Sequence, residues 1–100
     1  MNEIVVLAGA DSDLIEHFGR FEDMVQGLGK QFDLAFLKAC LLLEKHPRIG
    51  KHFGGVFRRW LMLDWHLALY YEVVGSRVLI HAILDTRQNP KNIGRRLGLQ

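Results

Sequence analysis

Two apolar runs of strand length, residues 66–74 and 77–85, are joined by only two residues, Gly75-Ser76. No other feature restricts the fold of this chain so tightly. A two-residue loop with glycine first suits a type II′ turn, so the runs are predicted to form an antiparallel hairpin. Such a turn also sets the register: Val74 opposes Arg77, Val73 opposes Val78, and the pairs continue outward. One face then carries Val73–Val78, Tyr71–Ile80, Leu69–Ala82 and Leu67–Leu84, and its apolar character suits it to packing under helices. The other carries Val74–Arg77, Glu72–Leu79, Tyr70–His81, Ala68–Ile83 and His66–Asp85.

The rest of the chain supplies those helices. Residues 4–8 are a β-branched run that reads as a strand buried on both faces. Gly9 is expected to end it, and Asp11 or Ser12 to cap a helix. The helix has an apolar stripe of Leu14, Ile15, Phe18, Phe21, Val25 and Leu28, with Gly27 and Gly29 bracketing its end. A second helix is predicted over 31–45, with Phe32, Ala35, Phe36, Ala39, Leu42 and Leu43 on one side. His46-Pro47 stops it, because a residue before proline is pushed out of the helical region. The short link between the two implies an antiparallel helical hairpin. Residues 48–55 read as a loop rich in glycine and cations. Residues 56–63 read as a further strand, turned into the next at Asp64-Trp65. The order is β-α-α-β-β-β. It predicts a single α+β domain over residues 1–100, a mainly antiparallel sheet with a helical hairpin packed on one face.

Charge is unevenly spread. The net charge is only +2, with 13 Lys and Arg against 11 Asp and Glu, which excludes a wholly basic nucleic-acid binder. Yet Arg87, Lys91, Arg95 and Arg96 follow Asp85 with no further acid, while Asp11, Asp13, Glu16, Glu22 and Asp23 face Arg20 alone. The basic end suits an anionic partner, nucleic acid or acidic protein, and equally serves solubility and surface ion pairs. A single cysteine, Cys40, excludes an internal disulfide and a multi-cysteine zinc site. His17, His46 and His52 have no metal-ligand spacing, so neither metal nor cofactor is expected. No apolar run approaches the ~20 residues of a membrane span, and no secretory leader is evident. The chain reads as cytoplasmic, without a membrane partner.

Four groups carry possible chemistry. His66, Tyr70, His81 and Asp85 share the mixed sheet face. With Arg59 or Arg87 as a cation they offer acid–base cleavage of RNA through its 2′-hydroxyl. The same residues are ordinary occupants of a half-exposed sheet face, and the two histidines lie several pairs apart. Arg58 and Arg59 are adjacent in a strand and must point to opposite faces. Asn89-Pro90 ends the last strand, and residues 92–97 suit a short helical turn with Ile93 and Leu97 tucked inward. Trp60 and Trp65 offer a partner anchor or, more simply, core.

From Pro47 onward the chain resembles the RelE/ParE toxin superfamily of type II toxin–antitoxin systems, on its ParE-like branch. The resemblance lies in Pro47, Ile49 and Gly50 at the end of the second helix, and in the strand-opening pair Arg58-Arg59. It continues in Tyr71-Glu72-Val73 and in Asp85-Thr86-Arg87-Gln88-Asn89-Pro90. It implies a plasmid-stabilising toxin that forms a hetero-oligomer with a cognate antitoxin. It also implies either DNA gyrase as target or, in the RelE-like alternative, ribosome-dependent mRNA cleavage. For the first, the target-binding residues would be Arg58, Arg59, Arg87, Lys91, Arg95 and Arg96. For the second, the catalytic residues would be His66, Tyr70, His81 and Arg87. Most members carry an arginine where Ala68 stands, and some ribonuclease members carry a tyrosine near Ile93. Both departures tilt the resemblance toward the ParE type, and leave open an inactive relic of the fold.

Overall fold

The computed structural model describes residues 1–99. Strand β1 (Glu3–Val6) leads into helices α1 (Ala8–Met24) and α2 (Leu28–Lys45). Strands β2 (Lys51–His52), β3 (Phe57–Met62), β4 (Leu67–Val74) and β5 (Arg77–Asp85) follow, then helix α3 (Pro90–Arg96). The five strands form one sheet in the order β1-β5-β4-β3-β2, with β1 parallel to β5 and all other neighbours antiparallel. This is the α+β architecture expected, with the helical hairpin on one face and one short strand more than expected, β2.

The Gly75-Ser76 turn behaves as its chemistry requires. Gly75 takes φ +60°, and Val74 opposes Arg77. The predicted register holds as far as Tyr71–Ile80. Beyond it a β-bulge inserts His81, so Tyr70 opposes Ala82, Leu69 opposes Ile83, Ala68 opposes Leu84 and Leu67 opposes Asp85. Because side chains alternate with period two, this extra residue moves Ala82 and Leu84 off the helix face and brings Ile83 onto it. His66 consequently does not pair with Asp85.

The core under the helices contains Leu67, Leu69, Tyr71, Val78, Ile80 and Ile83 from the sheet, packed on Phe21, Phe32, Ala39 and Leu43. Each large side chain fully buried here contributes about 1.5–3 kcal/mol of hydrophobic stabilisation. Trp60 and Trp65 pack against this core rather than standing free. Trp65 meets Phe21 and Phe32 edge-on at 4.9 and 5.5 Å. Cys40 is buried among the same residues, and burial pushes its thiol up to about 11, so it stays protonated.

The first fifty residues differ from expectation in four places. β1 is an edge strand, not one buried on both faces: Glu3 and Val6 are exposed. Gly9 does not end it by breaking structure. The helix has already begun at Ala8, capped by neither Asp11 nor Ser12, with Leu7 before it and no side-chain cap. Ile15, Phe18 and Val25 of the predicted stripe are exposed, while Ala10 and Asp13 are buried instead. Finally, α2 begins at Leu28, three residues early, because Glu22 of α1 reaches over to accept the Gly27 and Gly29 N–H groups at 2.8 and 3.0 Å. A carboxylate there satisfies two orphan donors and complements the helix dipole. Gly29 also allows the helices to close: a Cβ at this position would lie 2.8 Å from the Phe18 carbonyl oxygen.

Candidate functional site

Two regions of the molecule hold the residues to which the sequence points, and a third adds a surface it did not. The first is where α1, the end of β5 and α3 meet. β1 stops at Val6, and the parallel ladder ends when the Leu7 N–H reaches the Ile80 carbonyl at 3.0 Å. The edge of β5 beyond would be left unpaired, at a cost of about 1–3 kcal/mol for each buried group. Two α1 side chains one turn apart replace the missing strand. Asp13 Oδ2 accepts the Ile83 N–H at 2.9 Å, and His17 Nε2 donates to the Ile83 carbonyl at 2.7 Å. Arg20 Nη2 lies 3.1 Å from His17 Nδ1, and as a donor it assigns the proton to Nε2. Arg96 completes the cluster by donating to Asp13 Oδ2 at 2.7 Å and to the Gly9 carbonyl at 2.9 Å. A cleft of about 380 Å³ opens here, lined by Glu16, Arg20, Asp85, Gln88 and Arg96 among others.

The basic tail is thereby divided. Arg96 is tied to Asp13, and Arg87 closes a two-point pair with Asp85, Nε to Oδ1 at 3.0 Å and Nη2 to Oδ2 at 2.8 Å. The Arg87 side chain and backbone N–H hold the Asp85 carboxyl down to about 2. Lys91 and Arg95 are exposed and make no ion pair among the described residues. Asn89 caps α3 by accepting the Lys91 N–H at 2.9 Å, and Pro90 occupies the first turn. Ile93 is buried, as its spacing suggests.

The second region is the sheet face away from the helical hairpin. It was expected to be open, and it is largely covered. Ile93 and Leu97 of the tail and Phe53 of the β2–β3 loop cluster with Ala68, Tyr70, Ala82 and Leu84. Tyr70 is fully buried, its hydroxyl without a hydrogen-bond partner among the described residues. Burial raises its pKa, opposed by the nearby Arg59 side chain. Arg59 itself lies over the Phe53 ring at 5.6 Å, and Phe53 meets Tyr70 edge-on at 5.1 Å. Arg58 points the other way, as alternation requires, and donates to the Arg48 and Gly50 carbonyls at 3.0 and 2.8 Å. His81 pairs with Glu72 at 3.1 Å against the edge of Phe57. His66 sits in a left-handed turn position after β3, φ 54°.

The four proposed ribonuclease residues therefore do not converge. Tyr70 is sealed under Phe53 and α3, Arg87 is held by Asp85, His81 sits at the bulge in the middle of β5, and His66 lies in the turn before β4, beside Thr86 at the far end of β5. Ala68, where the resemblance expects an arginine, is fully buried beneath the tail cluster.

The third region lay outside the sequence reading. α2 is apolar on both sides: opposite its buried stripe it presents Leu34, Leu37 and Leu41, each about half exposed. Beside them runs a groove lined by Leu34, Ala35, Ala39, Leu42, Trp60 and Leu61 among others, of about 550 Å³. β2 pairs only with Arg58 and Arg59, so the outer edge of β3 from Trp60 to Met62 has no neighbouring strand. The signal was present in the leucines of α2, at steps of three and four, but the stronger Phe32–Leu43 stripe masked it.

Among known proteins, no family model matches this chain, and no curated protein matches its sequence. Its fold is similar to that of a solved chain from a chromosomal ParDE TA system of P. aeruginosa. The TM-score is 0.73 at 14% sequence identity, over 83% of this chain and 94% of that one.

Proposed function

We propose that this chain is the toxin of a type II toxin–antitoxin pair, of the ParE kind, and that it inhibits DNA gyrase until a cognate antitoxin binds it. The observation that carries this reading is the uncovered surface of α2 and β3. A helix apolar on both sides is a helix with partners on both sides. One side has the sheet. The other, with Leu34, Leu37 and Leu41, adjoins an apolar groove and an unpaired strand edge. That combination fits a partner segment contributing a helix to the groove and a strand to the edge, two recurring modes of peptide capture. An antitoxin folding onto the toxin would do both. The similarity of fold to a chain of a ParDE system supports the same class.

On this reading Lys91 and Arg95 are the tail cations available to the target. Arg87 and Arg96 hold the tail in place, and Arg59 supports the face beneath it. The ribonuclease alternative is the weaker reading, since Tyr70 is fully buried and Arg87 is engaged by Asp85.

Inducible expression in bacterial cells tests the proposal. Filamentation and a DNA-damage response with intact transcripts are expected, together with inhibition of purified gyrase in a supercoiling assay. Rapid translation arrest with cut mRNA would replace gyrase by the ribosome. Unimpaired growth together with uninhibited gyrase would refute both.

A further inference from the structure

Residues 45–59 carry five full positive charges, Lys45, Arg48, Lys51, Arg58 and Arg59, with His46 and His52 between them and no carboxylate. Since the whole chain is only +2, everything outside this segment is net −3. The fold concentrates the segment at one edge of the sheet. β2 makes just two pairs with β3, and both set cation against cation or histidine: Lys51 opposes Arg59, and His52 opposes Arg58. Like charges directly opposite in a sheet are destabilising. No carboxylate relieves them, because none of the five cations forms an ion pair among the described residues. Arg58 is satisfied by two backbone carbonyls, which leaves its charge uncompensated. Lys45 has a local reason, as a cation in the last turn of α2. Arg58 is held by backbone carbonyls and Arg59 by the Phe53 ring, while Arg48 and Lys51 show no such side-chain role among the described residues.

We propose that this edge binds the phosphodiester backbone of a nucleic acid, with Lys45, Arg48 and Lys51 as exposed contacts and Arg59 behind them. The arrangement suits a backbone rather than bases. Lys45 and Arg48 border an open depression of about 560 Å³ with His46, Pro47 and Ile49, and Lys51 follows on the two-residue strand, so the charges form a row rather than a closed base pocket. No groove-filling helix accompanies them. This assignment is independent of the toxin reading, because it concerns the isolated chain and needs no gyrase or antitoxin.

Fluorescence anisotropy with labelled 20-base-pair DNA and RNA duplexes tests it on the full chain. Three to four backbone contacts predict a slope of log K against log salt of about −3, or roughly fifty-fold weaker binding between 50 and 200 mM salt. The double variant Arg48→Gln/Lys51→Gln removes two exposed side chains, and its slope should flatten by nearly two. Lys45→Gln/Arg48→Gln is the second variant, should β2 be disturbed by the first. Arg77→Gln, at the β5 edge in an ion pair with Glu3, should leave the slope unchanged. Binding of either duplex with this pattern supports the proposal and identifies the source of the backbone. Binding of neither at 50 mM salt overturns it. Polyglutamate bound as tightly as the duplexes would also overturn it, in favour of an acidic protein.

Discussion

Replacing Asp13 by alanine removes the one side chain that joins α1, β5 and α3. Its carboxylate is buried and accepts two hydrogen bonds on the same oxygen, from the Ile83 N–H and from Arg96. In Asp13→Ala the Ile83 N–H is left inside without a partner, costing about 1–3 kcal/mol. The loss of the Arg96 pair adds less than the 3–5 kcal/mol of a fully buried pair, since the Arg96 side chain is 36% exposed and can turn to water. About 1 kcal/mol is a fair share for it. The sum is about 2–4 kcal/mol, or a fall in Tm of roughly 10–25 °C for a domain of this size. Asp13→Asn retains an acceptor for Ile83 and loses only the charge, so it should cost about 1 kcal/mol. Urea unfolding of the two variants measures both numbers. A double-mutant cycle with Arg96→Ala should return a coupling of about 1 kcal/mol. If Asp13→Ala unfolds within 0.5 kcal/mol of the parent, the idea that α1 side chains stand in for a missing strand is wrong.

The adjacent tyrosines should respond in opposite directions. Tyr71→Phe leaves the buried Gly50 N–H without its 2.9 Å acceptor and should destabilise by about 1–3 kcal/mol in urea unfolding, whereas Tyr70→Phe removes an unpartnered hydroxyl and should be neutral or stabilising. The Asp85 carboxyl, lowered to about 2 by Arg87, should titrate there by NMR and move back toward the usual carboxylate range in Arg87→Gln. Because its folded pKa is depressed, the stability it adds is present above pH about 4 and lost as pH falls through about 2. His81→Ala should leave growth inhibition intact, as the His81 side chain is engaged by Glu72 rather than by the tail; abolished toxicity in a variant that still folds would restore the ribonuclease reading. Leu37→Glu on the outer stripe of α2 should leave stability within about 0.5 kcal/mol while abolishing antitoxin capture in co-purification; retained capture would move the docking surface elsewhere.

Much of the fold was legible because local rules and tertiary packing agree. The Gly75-Ser76 turn, the Pro47 stop and the Phe32–Leu43 stripe each act within a few residues, and β3, β4, β5 and α2 lie within three residues of where those signals place them. α1 was less legible. Its apolar residues Ile15 and Phe18 suggested a stripe that the core does not use, while the polar pair Asp13 and His17 does the work of a neighbouring strand. The candidate site was read least well. Composition showed a basic tail, but whether each cation is free depends on carboxylates elsewhere: Asp85 claims Arg87, and Asp13, eighty-three residues distant, claims Arg96.

The sequence alone determined the order of the main elements, though not the short β2, and the hairpin with its first four cross-strand pairs, since these follow from turn geometry and hydrophobic period. Only the tertiary structure decided the bulge at His81, which moves Ala82 and Leu84 onto the face that α3 covers. It also decided that Tyr70 is sealed and that the second side of α2 is left bare. Those outcomes depend on contacts between residues far apart in the chain, where a buried N–H must find an acceptor and an apolar face must find a cover.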